Sequence, residues 1–85
     1  MKLNINQKVL LTINETPGID LKSLCDKLSI SKGNISFRLK FLEKDNLIQK
    51  LEEKGRKNLK LHPTKKGKDE YIKLKLELLG VSRRD

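Results

Sequence analysis

The feature that most restricts how this sequence can fold is a pair of short amphipathic stretches separated by three residues. In the first, Leu21, Leu24, Cys25 and Leu28 fall at i, i+3, i+4 and i+7, one face of a helix, while Lys22, Asp26 and Lys27 point away. In the second, from about Lys32 to Lys44, Ile35, Leu39 and Leu42 form the inward stripe. Asp20 and Ser31 stand where each helix needs an N-cap acceptor. Ser29-Ile30-Ser31 is too short to hold two helices apart, so they must brace against each other through their apolar faces. The outward face of the second helix then carries Gly33, Phe37, Lys40 and Lys44, flanked by Asn34, Ser36 and Phe41. A surface helix rarely presents an aromatic beside small polar side chains and lysines.

The rest of the chain supports this pair. Ile5, Val9 and Ile13, widened by Leu10, predict a helix over about Ile5 to Glu15, capped by Asn4 and ended by Pro17-Gly18. Leu47 to Glu52 and Asn58 to His62 read as strands, the second with strict alternation. Between them Glu53-Lys54-Gly55-Arg56-Lys57 predicts a hairpin turn with a cationic tip. Thr64 caps a last helix that runs to about Leu79 and stops at Gly80. That helix has two apolar sets. Tyr71, Leu74 and Leu78 share one side, and Ile72, Leu76 and Leu79 share another. A domain this small has little to cover a second stripe, so the second set is expected to meet another subunit. The fold class expected is mainly α with a small β-hairpin: a three-helix core, a two-stranded wing and a C-terminal helix. Residues 1–64 form the binding unit and 65–85 the dimerisation element.

Charge narrows the function. Lys and Arg number 20 against 11 Asp and Glu, for a net +9. Nearly all of the surplus falls between residues 31 and 68, over the second helix and the hairpin. A concentrated positive region calls for a polyanionic partner, most plausibly nucleic acid. No apolar run approaches the roughly 18 residues of a membrane span. Asn4, Asn6, Gln7 and Lys8 interrupt any secretion signal, so a cytoplasmic setting is expected. One cysteine and one histidine give neither an internal disulfide nor a zinc site. No acid–base pair, nucleophile or Gly-rich phosphate loop can be assembled. The expectation is therefore a protein without metal, cofactor or catalytic activity. Cys25, on the inward face, reads as a small core residue, and His62 as surface or packing at the hairpin base.

Residues 19–64 resemble the winged helix-turn-helix domain of the MarR and ArsR regulator families. The resemblance is carried by the run from Leu24 to Ile48, with Cys25 at a small-residue position, Asn34 and Ser36 near a Ser/Thr position, and Asn46-Leu47-Ile48 where those families have Gly-Leu-Ile. Pro63-Thr64-Lys65-Lys66-Gly67 is similar to the Leu-Thr-x-x-Gly that opens the helix after the wing. In the wing, Glu53-Lys54-Gly55-Arg56 matches only the arginine of the Asp-x-Arg pattern. MarR proteins are longer, with an extra dimer helix and an effector pocket, so the resemblance is not expected to carry over a small-molecule inducer; nor is ArsR metal sensing expected, since its Cys and His clusters are absent from this sequence. ArsR proteins carry an aliphatic residue where Phe41 stands, so the resemblance implies Phe41 in the core.

These readings together imply a homodimeric, sequence-specific transcription regulator, more a repressor than an activator, with double-stranded DNA as partner. The second helix would enter the major groove, where base edges can be read. Asn34, Ser36, Phe37 and Lys40 are the base-reading candidates; Asn suits adenine, and Phe a thymine methyl. Ser31, Lys32 and Arg38 suit phosphate, Arg38 with an internal ion pair as the other option. Lys54, Arg56 and Lys57 in the wing suit phosphate or the minor groove. Ile72, Leu76 and Leu79 are the dimerisation candidates. A non-specific or architectural nucleic-acid binder, or a protein-interaction winged helix, would share many of these features.

Overall fold

The structure is a computed structural model and describes residues 3–52 and 59–80. The first helix, α1 (Ile5–Glu15), starts at a reciprocal cap. The Asn4 side chain accepts from the Gln7 backbone N–H at 2.8 Å, and the Gln7 side chain accepts from the Asn4 N–H at 3.0 Å. Its buried set is broader than one stripe: Val9, Leu10, Leu11, Thr12 and Ile13 are all inside. The cause is position, since α1 packs against all three other helices and the sheet. Buried Thr12 satisfies its hydroxyl by donating to the Lys8 carbonyl at 2.8 Å.

Helix α2 (Leu21–Leu28) begins at Asp20, whose carboxylate accepts from the Ser23 N–H at 2.7 Å. It ends where Ser29 turns left-handed at φ 55° and Ile30 N–H reaches back to the Cys25 carbonyl at 3.2 Å. Ser31 then caps α3 (Lys32–Lys44) through Asn34 N–H, at 3.4 Å. Ile35, Leu39 and Leu42 are buried, as the stripe predicts, in one cluster with Val9, Ile13 and Leu24. All three helices match the expected bounds.

The hairpin strands are β2 (Ile48–Glu52) and β3 (Leu59–Pro63). A third strand, β1 (Ile19–Asp20), adds to the two expected, giving the antiparallel order β1-β3-β2. Two residues are too few to show alternation in a sequence. Leu61 pairs with Ile19 on one side and Lys50 on the other and is buried, and with Ile19 of β1 and Ile48 of β2 it makes the sheet's contribution to the core.

The turn after α3 fixes where the last helix, α4 (Lys65–Leu78), begins. Asn46 is left-handed at φ 62°. Its N–H bonds to the Glu43 carbonyl at 3.0 Å, and Leu47 N–H to the Leu42 carbonyl at 2.9 Å, a paired closure of the helix end. Thr64 stitches α4 to this turn: its N–H donates to Leu47 O at 3.1 Å and its hydroxyl to Asn46 O at 2.5 Å. The same hydroxyl accepts the Gly67 N–H at 3.0 Å. Lys66 adds a bond from its ammonium to Asp45 O at 3.1 Å. Gly67 packs so closely that a Cβ there would run into the Leu47 carbonyl. This is the physical reason for glycine in the Thr-x-x-Gly segment.

Helix α4 is anchored as far as Lys75, about three turns along it. Leu74 is buried, Tyr71 is half-buried, and Tyr71 and Lys75 both reach Glu15 on α1, at 3.4 and 3.2 Å. Leu78, placed by the heptad-like spacing on the inward side, is 39% exposed, because the helix has run past the body of the domain by then.

Two outcomes follow from these junctions. Gly67→Ala should lower unfolding stability by about 1–3 kcal/mol, the scale of forced overpacking, read as a drop in denaturant midpoint. At Asp20 the carboxyl is held below its ordinary pKa, chiefly by the Ser23 backbone N–H, then by the Ser23 side chain, with Lys60 and Lys22 assisting against slight desolvation. A depressed folded value means the ionised cap stabilises above the ordinary carboxylate range and loses that effect as pH falls through the folded value. Asp20→Ala should therefore cost about 1 kcal/mol at neutral pH, with the gap to wild type narrowing in thermal melts below about pH 4.

Candidate nucleic-acid interface

At about 100° per residue, the three buried positions of α3 place Gly33, Phe37, Lys40 and Lys44 opposite the core. The structure agrees: all four are exposed, and no described element covers them. Asn34 and Ser36 flank this face and are half-buried. Ser31 and Lys32 are exposed at its N-terminal end. Seven of the sequence-derived candidates, Ser31, Lys32, Asn34, Ser36, Phe37, Arg38 and Lys40, thus lie on one helix and its cap. Lys54, Arg56 and Lys57 lie outside the described residues.

One assignment changes, and one alternative finds no partner among the described residues. Phe41 is not in the core: it is 45% exposed and stands against Phe37, with ring centroids 4.9 Å apart and an interplanar angle of 85°. Leu39 and Leu42 already fill the inward space, and one turn after Phe37 the helix leaves Phe41 on the flank. Arg38 makes no ion pair among the described residues. Its Nε donates to Asn34 Oδ1 at 3.4 Å, and its guanidinium lies 5.8 Å from the Phe37 ring centroid.

The electrostatics favour an anion. Glu43, the acidic side chain of α3, is tied back to Lys50 on β2 at 3.6 Å. Lys32, Lys40 and Lys44 form no ion pair among the described residues. The first turn of α3 holds no acidic residue, so the positive end of the helix dipole adds to Lys32. Lys44 and Gly33 were legible on the outward face from their spacing, although neither was counted among the contact candidates.

Cys25 is half-buried on α2 and packs against the core. Desolvation raises its thiol pKa, with Asp26 adding and Lys32 opposing. A thiol held neutral suits a packing role. His62 is half-buried in β3, facing Gln49 across the ladder and lying beside Gly18. Among the described residues no group of His, Cys, Asp and Glu could hold a metal ion. No helix there is long and apolar enough to cross a membrane.

A short bracing helix, an exposed polar helix and a strand pair beside it define a winged helix-turn-helix. Residues 3–49 match the family model described as winged helix-turn-helix DNA-binding, more than half of the chain, and the chain belongs to that family. Within it, the relatives are MarR- and SlyA-type regulators. The chain is 38% identical over 69 residues to the uncharacterized HTH-type transcriptional regulator YybA of Bacillus subtilis (strain 168), covering 80% of this chain and 46% of that one. A SlyA-like transcription regulator from Listeria monocytogenes superposes with a TM-score of 0.85 at 35% identity, covering 91% of this chain and 52% of that one. A putative MarR family regulator from Listeria monocytogenes, solved with 26mer DNA, gives 0.80 at 38% identity, covering 84% and 48%. The chain spans about half the length of these relatives.

Gly33 sits in the first turn of α3 with open space around the position a Cβ would take. Nothing among the described residues requires glycine there. Gly33→Ala should raise stability by about 0.4–1 kcal/mol in thermal melts. On a surface that approaches a ligand closely, the same change should weaken binding. A melt that shows no gain would mean that the helix start is held in a way its contacts do not reveal.

Proposed function

We propose that this chain is a sequence-specific DNA-binding transcription regulator that represses as a cytoplasmic homodimer. The observation that carries the reading is the outer face of α3: uncovered, cationic and studded with short polar side chains, on a helix whose other face is fully buried. The relative solved with 26mer DNA at 38% identity supports duplex DNA as the ligand.

In this reading α3 enters the major groove. Asn34, Ser36, Phe37 and Lys40 face base edges, while Ser31, Lys32 and Arg38 meet phosphates. Arg38 occupies one lone pair of Asn34 Oδ1 and orients the amide, leaving its NH₂ free to donate. Lys54, Arg56 and Lys57, between β2 and β3 in sequence, reach the adjacent backbone or minor groove. Ile72 and Leu79, 54% and 74% exposed, and Leu76 at the edge of exposure, supply an apolar surface for a second copy. Two copies would place their α3 helices about 34 Å apart, over half-sites one turn apart. Residues 1–64 then bind and 65–85 dimerise. Binding, not catalysis, is the role.

Selection from a random DNA pool tests this. A palindromic site should emerge. Asn34→Ala should cost about 1–3 kcal/mol and relax preference at one position of each half-site, whereas Lys32→Ala should weaken all sequences alike and flatten the salt dependence by about one phosphate contact. Ile72→Glu with Leu76→Glu should give monomers in sedimentation and lose the palindrome. Binding of equal strength to unrelated duplexes would leave the non-specific reading in place of this one.

A further inference from the structure

We propose that α3 reads the 5-methyl groups of pyrimidines in the major groove through Phe37, so that affinity depends on those methyls as well as on hydrogen-bonding edges. The inference rests on the DNA-binding reading above and names what that surface recognises.

The starting point is an apolar patch where one is unfavourable. Phe37 is 54% exposed and Phe41 45%, adjacent turns of the same helix, with no described part of the domain over them. The two rings meet edge to face at 4.9 Å and 85°. Phe41 therefore braces Phe37 from one side. Arg38 lies near the same ring, 5.8 Å from its centroid, and is itself tethered to Asn34. A ring held by two neighbours loses little freedom when it meets a ligand.

The occupant follows from the surroundings. Lys40 and Lys44 share the face with Phe37. A second copy of this chain laid against the patch would bring lysines against lysines. Duplex DNA brings phosphates to the lysines instead. Phenylalanine neither donates nor accepts a conventional hydrogen bond, so it cannot read the polar edges of bases. The apolar group that the major groove offers is the C5-methyl of thymine. A 5-methylcytosine carries the same methyl at the same ring position. Phe37 is thus the residue specific for those methyls, beside the polar readers of the same face, and Phe41 a positioning residue that fixes its ring.

The test uses the 85-residue chain and sites selected from a random pool. Each thymine of a selected site is replaced singly by deoxyuridine, which keeps every hydrogen-bonding edge and removes one methyl. One or two thymines per half-site should each lose about fourfold in affinity, the scale of one buried methyl, and the others none. At those positions 5-methylcytosine·guanine should bind better than cytosine·guanine. Phe37→Ala should bind thymine and uracil sites equally, and Phe41→Ala should narrow the ratio without abolishing binding. The replacements on the DNA side need no altered protein, so a poorly folded variant cannot mask the answer. Selected sites that bind equally well with uracil at every thymine overturn this proposal and leave the DNA-binding reading standing. A thymine preference that survives Phe37→Ala overturns the assignment to Phe37. A pool that yields no site overturns both readings.

Discussion

Burial of Ile35, Leu39 and Leu42 in one cluster with Val9, Ile13 and Leu24 holds α3 in place, and the rest of the domain is arranged around that seam. Each such side chain contributes about 1.5–3 kcal/mol when taken out of water. The seam also sets a rotation angle. Once these three positions point inward, helical geometry leaves no choice about which residues point out. The recognition surface is therefore a consequence of core packing, and a shift of one residue in the apolar stripe would present a different set of side chains. Holding a reading surface on a rigid helix rather than a loop is what lets a few side chains meet fixed positions on a partner.

Both ends of α3 are closed by local chemistry, and this accounts for much of what the sequence made legible. Asp20, Ser31 and Thr64 are short side chains with an acceptor, each placed before an apolar-periodic run, and each caps its helix as expected. The stripes on α2 and α3 were equally plain, because both helices are covered on one side. Legibility failed where tertiary context decides. The width of burial on α1 depends on how many elements surround it, which periodicity does not encode. Strand β1 exists because Ile19 lies beside Leu61, with Gly18 N–H bonded to the Leu61 carbonyl at 2.8 Å, and not because of any pattern in two residues. Phe41, expected inside from the aliphatic residue at that position in ArsR proteins, is exposed because Leu39 and Leu42 already fill the inward space. Asn46 stands where the MarR and ArsR resemblance sets a glycine, and its φ of 62° accounts for either residue: asparagine and glycine most readily accept that conformation.

The last helix shows how one element can serve two ends. Thr64, Lys66 and Gly67 lock its start to the turn after α3, and Tyr71 and Lys75 hold its middle to Glu15. Its far end has left the domain, with Leu79 74% exposed. On the dimer reading, this rigid anchor would fix a second copy held at the far end relative to α3. The link runs through Asn46 and Leu47, whose carbonyls both serve Thr64.

Three residues of α3 break the rules for a stable helix surface: Gly33 inside a helix, and Phe37 and Phe41 exposed to water. Each is unfavourable for the isolated domain, and none is compensated by packing within the described residues. They share one side of one helix, beside lysines that form no ion pair there. Scattered over a surface, such departures would be noise. Gathered on the face opposite the core, they mark the place where the free energy of the domain is arranged for something outside it. Lysine charge can draw any polyanion to that face; on the DNA-binding reading, preference among sequences comes from groups aimed at base edges. On that reading, Phe37 stays exposed at a cost to the domain because an apolar contact to a base edge needs a side chain that water disfavours.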